Sequence, residues 1–93
     1  MLSTIPVELS KIKPGDRECE AIRAAIIGEL DAINLYEQLA AQSKDPLVKK
    51  VLLDIAREEK THVGELTELL VRKDKDQKAE MLHGKKEVEE LAE

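Results

Sequence analysis

Glu29, Glu59 and His62 are the residues of this chain whose types and spacing could hold a metal. His62 follows Glu59 by three residues, and Glu-x-x-His at that spacing projects two ligands from one helix face. Both acids interrupt apolar stripes at positions where a packed helix would place leucine. The first stripe reads Cys19, Ile22, Ile26, Glu29, Ile33, Tyr36, Ala40; the second reads Val48, Leu52, Ile55, Glu59, His62, Leu66, Leu69. Each advances by three and four residues in alternation, as a helix seam must. A carboxylate in such a seam is costly unless it is paired or bound to a metal. Carboxylates with one imidazole per metal suit iron or manganese better than a thiolate-seeking ion.

The elements that must position these ligands are helices. Pro14-Gly15 marks a turn, and Asp16 can cap a helix running over about 16–43. Ser43-Lys44-Asp45-Pro46 breaks it. Asp45 can cap a second helix over about 46–73, with Pro46 in its first turn. A short link between helices of similar length makes an antiparallel hairpin. Counted from the break, Glu29 lies about 15 residues before it, and Glu59 and His62 lie about 15 and 17 after it, so the three stand at one height. A C-terminal helical segment over about 76–92 follows, read as two stretches parted by a turn at His83-Gly84. His83 receives no role. Met1 to Gly15 is expected to be extended. The fold class is all-α: a two-helix hairpin with a short C-terminal helix, one domain over residues 1–93.

Composition narrows what such a chain can be. Its 93 residues include one Tyr and no Phe or Trp, so the core must be aliphatic and small. Chains of this size gain stability from metal or oligomerisation. The face Ala25, Gly28, Ala32, Leu35, Leu39 is small and apolar beside the first seam, which suits close approach of a second hairpin. The single Cys19 excludes an intramolecular disulfide and is read as a small core residue. A net charge of −5 argues against nucleic acid as the main partner. No stretch is apolar enough to span a membrane, and no basic region precedes an apolar run at the N-terminus. A soluble, cytoplasmic chain is therefore expected.

One chain supplies two seam carboxylates and one imidazole, half of what a di-iron centre requires. Twofold pairing, the commonest oligomer symmetry, would complete it with four Glu and two His, which points to oxidation of ferrous iron. Tyr36 lies two turns beyond Glu29 on the same seam and could orient a ligand by hydrogen bonding. Asp31, Glu37, Glu58, Glu65 and Glu68 fall off the seams and are expected to be solvated.

The stretch Gly28-Glu29-Leu30-Asp31-Ala32-Ile33-Asn34-Leu35-Tyr36-Glu37, with Arg57-Glu58-Glu59-Lys60-Thr61-His62, resembles the encapsulated ferritins. These are short relatives of rubrerythrin and ferritin. The resemblance spans roughly Cys19 to Leu70. It implies half of a ferritin-like four-helix bundle completed by dimerisation, a ring of such dimers, and ferroxidase activity for iron storage inside an encapsulin nanocompartment. By motif it makes Glu29, Glu59 and His62 iron ligands and gives Tyr36 a supporting part. The chain departs from the pattern in carrying Gly28 and Asp31 where relatives hold extra acids, Leu35 where an aromatic can stand, and no evident shell-targeting peptide over residues 85–93. Two other readings compete. A rubrerythrin-like peroxidase would use the same centre, but the chain lacks a rubredoxin-type Cys cluster. A metal-free helical dimerisation module would gain nothing from acids on the seam.

Overall fold

The computed structural model describes residue 4 and residues 8–93. The extended N-terminal stretch anticipated from the sequence lies partly outside them; within them, Leu9–Lys11 forms a 3-10 turn instead. Three helices follow: α1 over Arg17–Gln42, α2 over Pro46–Lys73 and α3 over Lys75–Leu91. Among the described residues there is no strand, so the fold is all-α as the periodicity required.

Asp16 occupies the N-cap of α1, but its side chain makes no capping hydrogen bond. Asp45 does cap α2. Its Oδ1 accepts from the backbone N–H of Leu47 at 2.9 Å and of Val48 at 3.2 Å, and Pro46 sits in the first turn, where a missing N–H costs nothing. The Ser43–Asp45 link then reverses the chain. Contacts between α1 and α2 run in opposite numerical order, Glu37 with Lys60, Glu29 with His62, and Arg23 with the end of α2, which is the signature of an antiparallel hairpin.

The hairpin core is small. Ile33 and Ala40 of α1 and Ala56 and Leu70 of α2 are buried. The α2 stripe anticipated as buried is turned partly outward. Ala56 and Leu70 sit against α1, whereas Val48, His62 and Leu69, one position round the helix, stay exposed. One neighbouring helix can cover only part of so wide an apolar stripe.

The structure corrects two further expectations. His83-Gly84 is not a turn: α3 runs unbroken through it. Glycine costs about 1 kcal/mol in a helix interior, and the flanking Lys and Glu residues are good helix formers that add i,i+4 pairs, His83 with Glu87 and Lys85 with Glu89. Asp31 is not solvated: it is only 6% exposed and engaged in an interaction. Its position on the helical wheel of α1 lies away from the seam positions, so a count of those positions does not anticipate its burial.

A single residue, Asp74, separates α2 from α3. Its backbone N–H closes α2 on the Leu70 carbonyl at 2.8 Å, while its Oδ1 accepts from the Gln77 N–H at 2.9 Å and starts α3. The body measures 46 × 44 × 19 Å, no more than about two helix diameters thick. Between α2 and α3 lies an open groove walled by Gly64, Thr67, Val71, Met81 and Leu82. No described helix is long and apolar enough to cross a membrane.

Candidate metal centre

α1 presents Glu29 toward α2, and α2 presents Glu59 and His62 toward α1 at the same height. One ligand atom from each of the three lies within 4.8 Å of the others. The His62 ring turns its Nδ1 to both acids, 3.2 Å from Glu59 Oε2 and 3.4 Å from Glu29 Oε2. A proton on Nδ1 would be donated to Glu59, whereas the angle to Glu29 is outside hydrogen-bond geometry. Oε2 of Glu29 is consequently buried with no hydrogen-bond partner. An orphaned buried carboxylate oxygen is destabilising by about 1–3 kcal/mol, more if charged, so it signals a missing partner. A cation placed among the three would meet that oxygen, and two carboxylates plus one imidazole form a donor set that iron accepts.

The site is lopsided. The side chains of Glu29 and Glu59 are 24% and 19% exposed, and that of His62 is 47% exposed. The acids are therefore backed by the hairpin, and the imidazole faces outward. Three donors on one side of an ion leave its other side open. Nothing in a single hairpin supplies the rest among the described residues.

Tyr36 is half-buried on α1, and among the described residues no hydrogen bond joins it to Glu29, Glu59 or His62. Lys60, within the Glu59–His62 motif, instead forms an ion pair with Glu37 at 3.1 Å, fastening α1 to α2 beside the ligands. Sequence reasoning passed over that pair: counted from the break, Glu37 stands about 8 residues before it and Lys60 about 16 after it, so equal heights gave no signal for their contact. It also passed over Arg23, whose Nη2 donates to Asp74 Oδ2 at 3.0 Å and fixes the far end of the hairpin. The Asp74-Lys75-Asp76-Gln77 capping pattern pointed to that junction. The backbone N–H of Gln77 first, and the Arg23 guanidinium second, hold the Asp74 carboxyl below the usual carboxylate range.

Comparison with known proteins identifies the family of this fold. Residues 5–85 match the family described as EncFtn-like. The chain is 53% identical over 93 residues to a ferritin-like-encapsulin shell fusion protein of Pyrococcus furiosus, an alignment covering 98% of this chain and 27% of that protein. The chain thus spans about a quarter of that relative's length. The crystal structure of the encapsulated ferritin domain from Pyrococcus furiosus superposes with a TM-score of 0.81 at 50% identity, covering 98% of this chain and 95% of that one. With its hairpin, its inward acids and these matches, the chain belongs to the EncFtn-like family.

Proposed function

We propose that this chain is the ferroxidase subunit of an iron store. Two hairpins would pair across their half-open ligand faces, and Glu29, Glu59 and His62 from both would form one di-iron centre. The observation that carries this reading is the orphaned Oε2 of Glu29, held 3.4 Å from His62 Nδ1 in a seam that is mostly apolar. A metal-free dimerisation module offers that oxygen no partner.

Iron is the substrate here. Two ferrous ions held at such a centre would each give one electron to one dioxygen, which with two protons leaves as hydrogen peroxide, and the iron would leave as ferric ions. The protein's task is to hold the ions and keep water limited. The Glu carboxylates neutralise charge. His62 would ligate through Nδ1, the nitrogen that faces both acids, which carries no proton when it does so. Tyr36, with its hydroxyl free of the three ligands in the single chain, would serve by packing or by reaching across to the second hairpin. The Pyrococcus relative is a fusion to an encapsulin shell. By that likeness we assign the chain to the interior of an encapsulin compartment in the cytoplasm, as a ring-like assembly of dimers that passes ferric iron to the enclosed volume.

The test is aerobic oxidation of ferrous iron by the purified assembly. Oxidation should outpace buffer and continue beyond two irons per pair of chains. A rate equal to the protein-free control, with the protein folded and assembled, would overturn the proposal.

A further inference from the structure

The chain holds a second Glu-x-x-His motif, Glu80-Met81-Leu82-His83, on α3. Its local geometry repeats that of the first: His83 Nδ1 lies 3.3 Å from Glu80 Oε2, against 3.2 Å for His62 and Glu59. The ring's other nitrogen is also engaged. Nε2 lies 3.1 Å from Oε1 of Glu87, one turn further on. All three side chains are exposed. The set is independent of the centre between α1 and α2, since no ligand is shared.

A neutral imidazole has one N–H and one lone pair. The Nδ1–Glu80 contact has hydrogen-bond geometry, whereas the Glu87 oxygen stands beside Nε2 outside it, so a ring with its proton on Nδ1 keeps the Nε2 lone pair next to an anion. Two species relieve that conflict, a second ring proton or a cation. The spacing suits the cation at Nε2. Donors each about 2.1 Å from one ion, at the tetrahedral angle, stand about 3.4 Å apart, and Nε2 and Oε1, at 3.1 Å, need to part by only a few tenths of an ångström. The remaining contact then falls into the usual outer arrangement of a metal-bound histidine, in which the free N–H donates to a carboxylate that fixes the ring.

We propose that α3 carries a second, surface site for a divalent first-row transition ion, with His83 Nε2 and Glu87 as ligands and Glu80 as the residue that positions the ring. Two protein donors and otherwise water make it a weak, exchanging site, suited to gathering cations at the surface rather than storing them. The ligand pair favours zinc or copper over iron in affinity, so zinc is the suitable probe.

The experiment strips the central set with Glu29→Ala, Glu59→Ala and His62→Ala together and titrates zinc by calorimetry. One zinc per chain should remain. Adding His83→Ala should abolish it, Glu87→Gln should weaken it most among the acids, and Glu80→Gln should weaken it about tenfold, the effect of losing an orienting partner. Because the stripped chain could fail to fold, the unaltered chain is followed in parallel by long-range proton–nitrogen NMR. There zinc should shift His83 Nε2 while the Nδ1 proton stays. No zinc in the folded stripped chain, zinc retained after His83→Ala, or both His83 nitrogens protonated at saturating zinc would each overturn the site.

Discussion

Arg23 and Asp74, 51 residues apart in sequence, join α1 to the junction of α2 and α3 through a 3.0 Å hydrogen-bonded ion pair. Asp74 ends one helix and begins the next while accepting from the third, so the placement of α3 depends on one carboxylate.

That dependence has a pH signature. The folded Asp74 is held below its ordinary value of 3.8, by the Gln77 N–H first and Arg23 second. A group with a depressed folded pKa adds stability above its unfolded value and loses it as pH falls through the folded one. The stability gap between the parent and Asp74→Asn should thus be constant at neutral pH and close in acid, from about 3.8 downward. Helicity melts across pH measure it. A gap that persists undiminished at the acid limit would contradict the assignment.

Glu29 is expected to trade stability for binding. Glu29→Leu removes the unpartnered oxygen and should raise apo stability by about 1–3 kcal/mol while abolishing iron loading. An apo protein that melts lower than the parent would show that Glu29 has a partner after all.

Glu59→Gln and His62→Ala should each cut iron occupancy sharply, and mixing inactive Glu29→Ala with inactive His62→Ala chains should not restore activity. A twofold centre draws every ligand type from both chains, so no pairing of these variants contains a full set. Recovery of activity on mixing would mean that a working site takes Glu29 from one chain and His62 from the other, rather than every ligand type from both.

Gly64 sits inside α2 with nothing within 4 Å of where a Cβ would stand. Gly64→Ala should stabilise an isolated hairpin by about 0.5–1 kcal/mol. If it weakens the assembly instead, as read by sedimentation, another chain occupies the groove formed with Met81 and Leu82.

Asp45→Ala should lower hairpin stability by about 1 kcal/mol, because two N–H groups at the start of α2 lose their acceptor. A shift of that size in the melting curve, with iron stoichiometry unchanged, would separate the link from the ligand set.

The meeting of Glu29, Glu59 and His62 was legible because three simple periodicities coincide there: the seam, the i,i+3 spacing and the count from the break at Pro46. Local signals also placed the hairpin link, since Asp45 and Pro46 act on the backbone beside them. What was not legible involved weighing opposed local terms or distant cover. Gly84 reads as a breaker, yet Glu80, His83 and Glu87 link successive turns of the same helix. Asp31 is buried although it lies away from the seam positions, so the seam count does not anticipate it. The outward tilt of His62 reflects which edge of a broad stripe one helix covers, a matter of degrees of rotation that residue types do not encode.

A body about two helices thick has consequences in time as well as space. Helix formation takes on the order of a microsecond, whereas subunit assembly takes milliseconds to minutes and accelerates with concentration. During that interval Val48, Leu69, Leu82 and Leu91 stand in water on an already helical chain. Clumping through those side chains competes with correct pairing throughout the delay. The yield of native protein is therefore governed by the encounter rate of newly made chains, and synthesis of many copies from one message at one place shortens the wait.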